Sequence, residues 1–153
     1  MVSIERIQNR FLWDRFVNHK RQLRTKLGKE SDVKQLWHGC GNTDSSQISD
    51  GEQGFDNRYS EDGMYGYGNY FAIHANYSVS GSYCKDEGNN TKGLFLAKLL
   101  IGVTFVDNNQ QMRGQKKPPL KPDGKMYDSV TDNQQMYIVY DNEKSYPAYY
   151  LKF

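Results

Sequence analysis

An α+β domain is the fold class the sequence predicts, on three observations. Apolar residues recur at helical spacing only near the N-terminus, and segments of strong β preference gather in the second half. The two kinds never alternate regularly, as a doubly wound parallel sheet would require. The short strands are expected to form two small packed mixed sheets, with an N-terminal helix and short peripheral helices. A chain of 153 residues is the length of one domain. Folding at that size hides about two thirds of the unfolded surface, so neither disulfides nor a structural metal are required. No repeat and no linker divides the chain, and a single domain over residues 1–153 is expected.

The elements follow in order. Ile4, Ile7, Phe11, Leu12, Phe16 and Val17 form a helical stripe behind a Ser3 cap, which predicts a helix over residues 4–24 that Gly28 stops. Its polar face, with Lys20, Arg21 and Arg24, reads as solvated. Residues 35–39 are β-like, and Thr43 or Asp44 is placed to cap a short helix containing Ile48. Residues 51–68 are rich in Gly, Asp, Asn, Ser and Tyr without either period, a long loop of the kind that is functional or disordered. Residues 69–73 read as a strand and 75–83 as a short helix. Residues 85–92 are turn-like, and the most apolar segment, 94–101, is a buried strand that 103–106 continues. Residues 108–125 hold three of the four prolines and read as a second loop. Residues 136–140 and 148–153 are the last two strands, around a turn at 141–145.

Composition narrows the function classes. Hydrophobic residues are 37%, charged 25% and aromatic 14%, with twelve tyrosines. With a mean hydropathy of −0.87, this describes a small core, half-buried phenols and polar loops. The net charge of +2 falls short of the strongly basic balance of a dedicated nucleic-acid binder. Cys40 and Cys84 lie far apart with no CxxC spacing, which suggests neither a disulfide framework nor a zinc site and fits a reducing compartment. The first residues show no secretion-signal pattern, and no apolar run approaches the ~20 residues of a membrane span. An intracellular protein, cytoplasmic or nuclear, is the expectation. His19, His38 and His74 form no close ligand pair, there is no HExxH or P-loop, and no metal is expected. Gly66-Tyr67-Gly68 precedes a strand rather than a helix, so it reads as a glycine turn entering an edge strand and not a dinucleotide-binding glycine motif.

Six separated motifs, in order, carry more than any one alone. His38-Gly39 ends a strand, Gly66-Tyr67-Gly68-Asn69-Tyr70-Phe71-Ala72 enters another, and Ala75-Asn76-Tyr77-Ser78 opens a helix. Tyr127-Asp128-Ser129-Val130 precedes Tyr137-Ile138-Val139-Tyr140-Asp141, and Tyr146-Pro147-Ala148-Tyr149-Tyr150-Leu151-Lys152-Phe153 closes the chain. Over nearly the whole chain this resembles the catalytic domain of the ADP-ribosyltransferases related to poly(ADP-ribose) polymerase. Ile4-Glu5-Arg6-Ile7-Gln8-Asn9 with Leu12-Trp13 looks like the mono-transferase branch that often carries macrodomains.

The resemblance implies the ADP-ribosyltransferase fold and NAD+ as co-substrate, with protein acceptors that include the chain itself. It places the family's His-Tyr-Glu triad at His38, Tyr70 and Met136. It implies that His38 bonds the adenine-side ribose and Tyr70 packs along the nicotinamide and its ribose. Gly39 would bind the carboxamide through its backbone, Ser78 through its hydroxyl, and Tyr83 would stack on the nicotinamide ring. The loop over residues 56–64 would cover the donor. No helical regulatory domain, such as often precedes this domain in polymerases, is found in the chain.

Two departures matter. Cys40 stands where Ser or Thr is usual, and a thiol offers only a weak hydrogen bond. Met136 replaces the glutamate that activates the terminal ribose of a growing polymer, and a thioether cannot act as a base. Transfer of single units to an acidic side chain that brings its own nucleophile is the expected reaction. A silent module that binds NAD or ADP-ribose is the alternative, and modification of nucleic-acid ends a third that the modest charge does not support.

Overall fold

A computed structural model describes residues 3–153; Met1 and Val2, and with them part of the stretch read for a secretion signal, lie outside the described residues. Nine strands form one hydrogen-bonded sheet. In chain order they are β1 (Ser3–Arg6), β2 (Val33–His38), β3 (Asn69–Ala72), β4 (Lys85–Gly88), β5 (Thr91–Leu100), β6 (Thr104–Val106), β7 (Ser129–Thr131), β8 (Met136–Val139) and β9 (Ser145–Lys152). Three helices, α1 (Arg10–Leu27), α2 (Ser45–Ser49) and α3 (Ala75–Ser80), complete the α+β fold with two 3-10 turns, Asn57–Tyr59 and Asn142–Lys144. The order across the sheet is β1-β9-β5-β2-β3-β8-β7-β6, with β4 added to β5. Every pair is antiparallel except β6 with β7.

The two sheets expected from the sequence are two halves of this one sheet. β2 pairs with β5 over six residues, but with β3 only at Trp37 and Ala72. That single pair is the joint. On one side β5, with Leu94, Phe95, Ala97, Leu99 and Leu100 buried, carries the main core. Across the joint Val130, Met136, Ile138 and Tyr140 form a second core with Tyr65 and Met112.

The N-terminal helix starts later than its stripe suggests. Ser3–Arg6 pairs with Tyr149–Lys152 instead, because strand β9 offers an edge whose backbone groups need partners. The cap is Asn9, whose side chain accepts from the Leu12 N–H at 3.1 Å and donates to the carbonyls of Ser49 and Gly51. Gly28 ends the helix at φ +70°, its N–H bonded to the Arg24 carbonyl. Leu12, Phe16 and Leu23 bury α1 against Leu100, Tyr146 and Ala148.

Three further expectations change. Residues 85–88 are a strand, β4, that turns through Asn89 and Asn90, both at positive φ, into β5. Val103–Val106 does not continue β5: Gly102 is left-handed, and β6 leaves to pair with β7. The three-residue β7 is too short to leave a period in the sequence. The turn into β3 enters the interior of the sheet, between β2 and β8, not an edge. Asp44 does cap α2, accepting from the Ser46 N–H at 3.0 Å.

Candidate active site

Strand β2 delivers His38 to the joint. Its Nδ1 lies 2.8 Å from the Tyr70 carbonyl oxygen, and its ring packs edge-on against Phe55 at 4.7 Å. Burial pushes the imidazole below its ordinary value, and the bond to the Tyr70 carbonyl opposes this only in part. The ring is therefore neutral at pH 7. A carbonyl only accepts, so Nδ1 carries the proton and Nε2 is left as an acceptor for a ligand hydroxyl.

Gly39 follows at a place where only glycine fits. A Cβ built there would fall 2.3 Å from the Tyr83 carbonyl oxygen. The same carbonyl accepts the Gly41 N–H at 2.9 Å, so the residues after β2 lie against Tyr83. Tyr83 is in turn fixed from α3, its N–H bonded at 3.0 Å to the carbonyl of the buried Ser78. The Tyr83 ring is 51% exposed and stacks on Tyr77 at 5.9 Å with 16° between planes. One face of this pair is open to a flat ligand.

Tyr70 uses its phenol to hold a loop. Its hydroxyl donates to the Gly66 carbonyl at 2.8 Å and accepts from the Tyr65 N–H at 2.9 Å, and burial pushes its pKa up to about 12. The hydroxyl is thus neither base nor acid at neutral pH. Cys40 is similarly inert: burial pushes its thiol up to about 11, and its Sγ lies 3.5 Å from the Thr43 carbonyl.

Met136 stands opposite Ala72 in the β3–β8 ladder and so projects from the same face as Tyr70, two residues along β3. It is 4% exposed and packed with Tyr65, Met112, Val130 and Ile138. The Asp132 carboxylate accepts its N–H, and Thr131 donates to its carbonyl. We expect Met136→Glu to lower stability by roughly 2–3 kcal/mol, because a carboxyl would enter a packed apolar cluster. Product analysis should show no ladder of polymer, and a ladder from a variant of unchanged stability would contradict this placement.

A cleft of about 460 Å³ opens over His38, Gly39, Cys40, Phe55, Asn69 and Tyr70. The 51–60 segment forms its outer wall, and residues that sequence reasoning missed anchor that wall. Arg15 donates to the carbonyls of Glu52 and Gln53, and Asn142 accepts from the Asn57 N–H at 2.9 Å while donating to Gln53 Oε1 at 3.2 Å. Asn69 donates to the Phe55 carbonyl at 2.7 Å, and the Arg58 guanidinium holds the Asp56 carboxyl below its usual range. No local signal marks Arg15 or Asn142, because each acts on residues tens of positions away. The structure thus brings His38, Gly39 and Tyr70 to one cleft and sets the Tyr83 backbone against Gly39. Tyr83 itself lines a separate hollow with Tyr77 and His74, Ser78 is buried in α3 outside the cleft lining, and Met136 stays in the packing on the Tyr70 face. Among the described residues no three His, Cys, Asp or Glu side chains gather as metal ligands, and no helix is long and apolar enough to cross a membrane.

The structure defines an α+β domain whose mixed sheet is joined at one pair, with a histidine-glycine cleft at the joint. The family model of the poly(ADP-ribose) polymerase catalytic domain matches residues 1–153, and the chain belongs to that family. It is 32% identical over 157 residues to protein mono-ADP-ribosyltransferase PARP14 of Homo sapiens, covering 99% of this chain and 8% of that protein. With human protein mono-ADP-ribosyltransferase PARP12 it shares 32% over 159 residues, 99% of this chain and 21% of the relative. With human PARP11, named likewise, identity is 33% over 178 residues, 98% of this chain and 50% of the relative. The chain thus spans at most about half the length of these relatives.

Proposed function

We propose that the domain is an NAD+-dependent mono-ADP-ribosyltransferase that modifies protein side chains. The observation that carries this reading is the end of β2, where the neutral His38 imidazole and Gly39 line one cleft with Tyr70, and where the missing Gly39 Cβ lets the Tyr83 backbone pack close and so fixes an exposed, stacked tyrosine beside them. The names of the relatives agree with it. His38 Nε2 would accept from the adenine-side ribose, and Gly39 would meet the carboxamide with its backbone N–H and carbonyl. Ser78 would donate to the carboxamide oxygen, Tyr83 would stack on the ring, and Tyr70 would flank the nicotinamide ribose.

In the reaction the bond between ribose C1′ and the nicotinamide nitrogen breaks, and its electron pair leaves with neutral nicotinamide. An acceptor carboxylate oxygen forms the new bond to C1′, so no proton has to move. This suits a site with Met136 in place of a base, a phenol at about 12 and a thiol at about 11. The chain's residues contribute orientation and exclusion of water.

The test is ligand binding. NAD+ should raise the melting temperature of the wild type, and His38→Ala and Tyr83→Ala should each weaken binding about tenfold, the scale of a lost hydrogen bond or ring stack. Wild-type affinity in both variants would remove the proposed pocket. A melting shift by NAD+ with no nicotinamide released would favour the silent binding module instead.

A further inference from the structure

The loop between β6 and β7 carries charge that the donor site does not use. Residues 108–125 hold Arg113, Lys116, Lys117, Lys121 and Lys125 against Asp123 alone, four net positive charges on a chain whose total is +2. Lys121 pairs with Asp123 at 3.2 Å; the other four make no ion pair among the described residues. The segment is ordered by its own bonds. Tyr127 N–H donates to the Pro119 carbonyl at 3.0 Å, Lys121 N–H to the Lys125 carbonyl at 2.7 Å, and Leu120 bridges Met126, which makes a small hairpin. Its stem shows Leu120 at 62% and Met126 at 44% exposure, apolar surface set among lysines.

Behind the hairpin is a cleft of about 380 Å³ shared with α1, lined among others by Leu23, Lys26, Lys117, Met126, Tyr127 and Lys144. Its two carboxylates are already neutralised, Asp128 by Lys26 at 2.5 Å and Asp141 by Lys144 at 2.7 Å. His19 lines the same cleft, and its Nε2 is buried without a partner among the described residues. The base of the loop reaches the donor site. Gly114 N–H donates to the Asp62 carboxylate at 2.8 Å and Tyr67 N–H to the Gln115 carbonyl at 2.8 Å, against the turn whose Gly66 carbonyl accepts from Tyr70.

We propose that this hairpin and its cleft dock an acidic segment of the acceptor protein in which apolar residues are interspersed. Lysines without ion pairs meet its carboxylates, while Leu120, Met126 and the cleft floor take its apolar side chains. Nucleic acid fits less well. The cleft rings are engaged, Tyr127 against Phe105 at 5.4 Å and Tyr140 buried in the second core, so neither is free to stack a base. The exposed apolar pair Leu120 and Met126 is likewise of no use to a phosphate chain.

The role of this partner as acceptor rests on the transferase reading, so docking is measured apart from catalysis. The probe is a fluorescein-labelled peptide of alternating Glu and Leu, followed by anisotropy. The wild type should bind it, more weakly as salt rises, and Lys117→Glu combined with Lys125→Glu should weaken binding about tenfold and flatten the salt dependence. Leu120→Ser should cost about threefold and leave the salt dependence intact. Nicotinamide release without acceptor and the melting shift by NAD+ should be unchanged in both, while KM for the peptide as acceptor rises at constant kcat. If the wild type releases no nicotinamide, the transferase reading fails and the binding result still decides the docking surface. Equal peptide affinity in the variants, or tighter binding of a single-stranded oligonucleotide of equal charge, would overturn the proposal.

Discussion

Gly39→Ala is expected to reduce NAD+-dependent nicotinamide release by about a hundredfold or more while leaving the domain folded. The added methyl would fall 2.3 Å from the Tyr83 carbonyl oxygen and 2.9 Å from its Cβ, distances no real contact sustains. Either the strand end or the Tyr83 backbone must move, and the ring that would stack on nicotinamide moves with it. A displacement of about 1 Å at a reacting centre costs on the order of a hundredfold in rate. Gly41→Ala is the control. Gly41 has φ +52° but open space around its Cβ position, so alanine there strains the backbone by about 1 kcal/mol without filling the pocket. Steady-state release for the two variants, each checked by its melting curve, separates the cases. Wild-type turnover in Gly39→Ala would mean that nicotinamide sits elsewhere.

Asp107→Ala is expected to cost about 3 kcal/mol of stability. The buried Asp107 carboxylate accepts the N–H groups of Asn109 at 3.1 Å, Gln111 at 3.0 Å and Met112 at 2.9 Å. Removing it orphans three donors, each worth about 1 kcal/mol or more when left unpaired. The consequence extends to the site, because the same loop accepts the Tyr67 N–H and so braces the turn that Tyr70 holds. In a domain of this size the melting temperature should fall by about 10 °C, and Asp107→Asn, which keeps a carbonyl acceptor, should lose less. A melting temperature within a degree or so of wild type would show that the loop start is held by other means.

The parts of this fold legible in the sequence are those whose signal is local. Gly28 stopped a helix where a left-handed cap was needed, Asp44 capped the next, and the apolar run at residues 94–101 was the buried centre of the sheet. Elements set by distant partners were not legible. Ser3–Arg6 reads as a helix start until β9, at the other end of the chain, supplies an edge for it. Strand β4 is illegible for a different reason, since its polar Lys85–Gly88 carries no β signal although its partner β5 is next in the chain. The same division holds at the candidate site. His38, Gly39 and Tyr70 stand in ordered motifs and line one cleft, and Tyr83, outside those motifs, meets them through its backbone at Gly39. Arg15 and Asn142, which anchor the outer wall, act across 38 and 85 residues and leave no pattern that periodicity or spacing could detect.

The most direct test of the transferase reading is intact-protein mass spectrometry after incubation with NAD+ and an acidic acceptor protein, beside His38→Ala. The account predicts mass steps of single ADP-ribose units on the acceptor or on the domain itself, nicotinamide released in step with them, and neither from the variant. Unchanged masses with no nicotinamide from a wild type whose melting temperature NAD+ raises would contradict it.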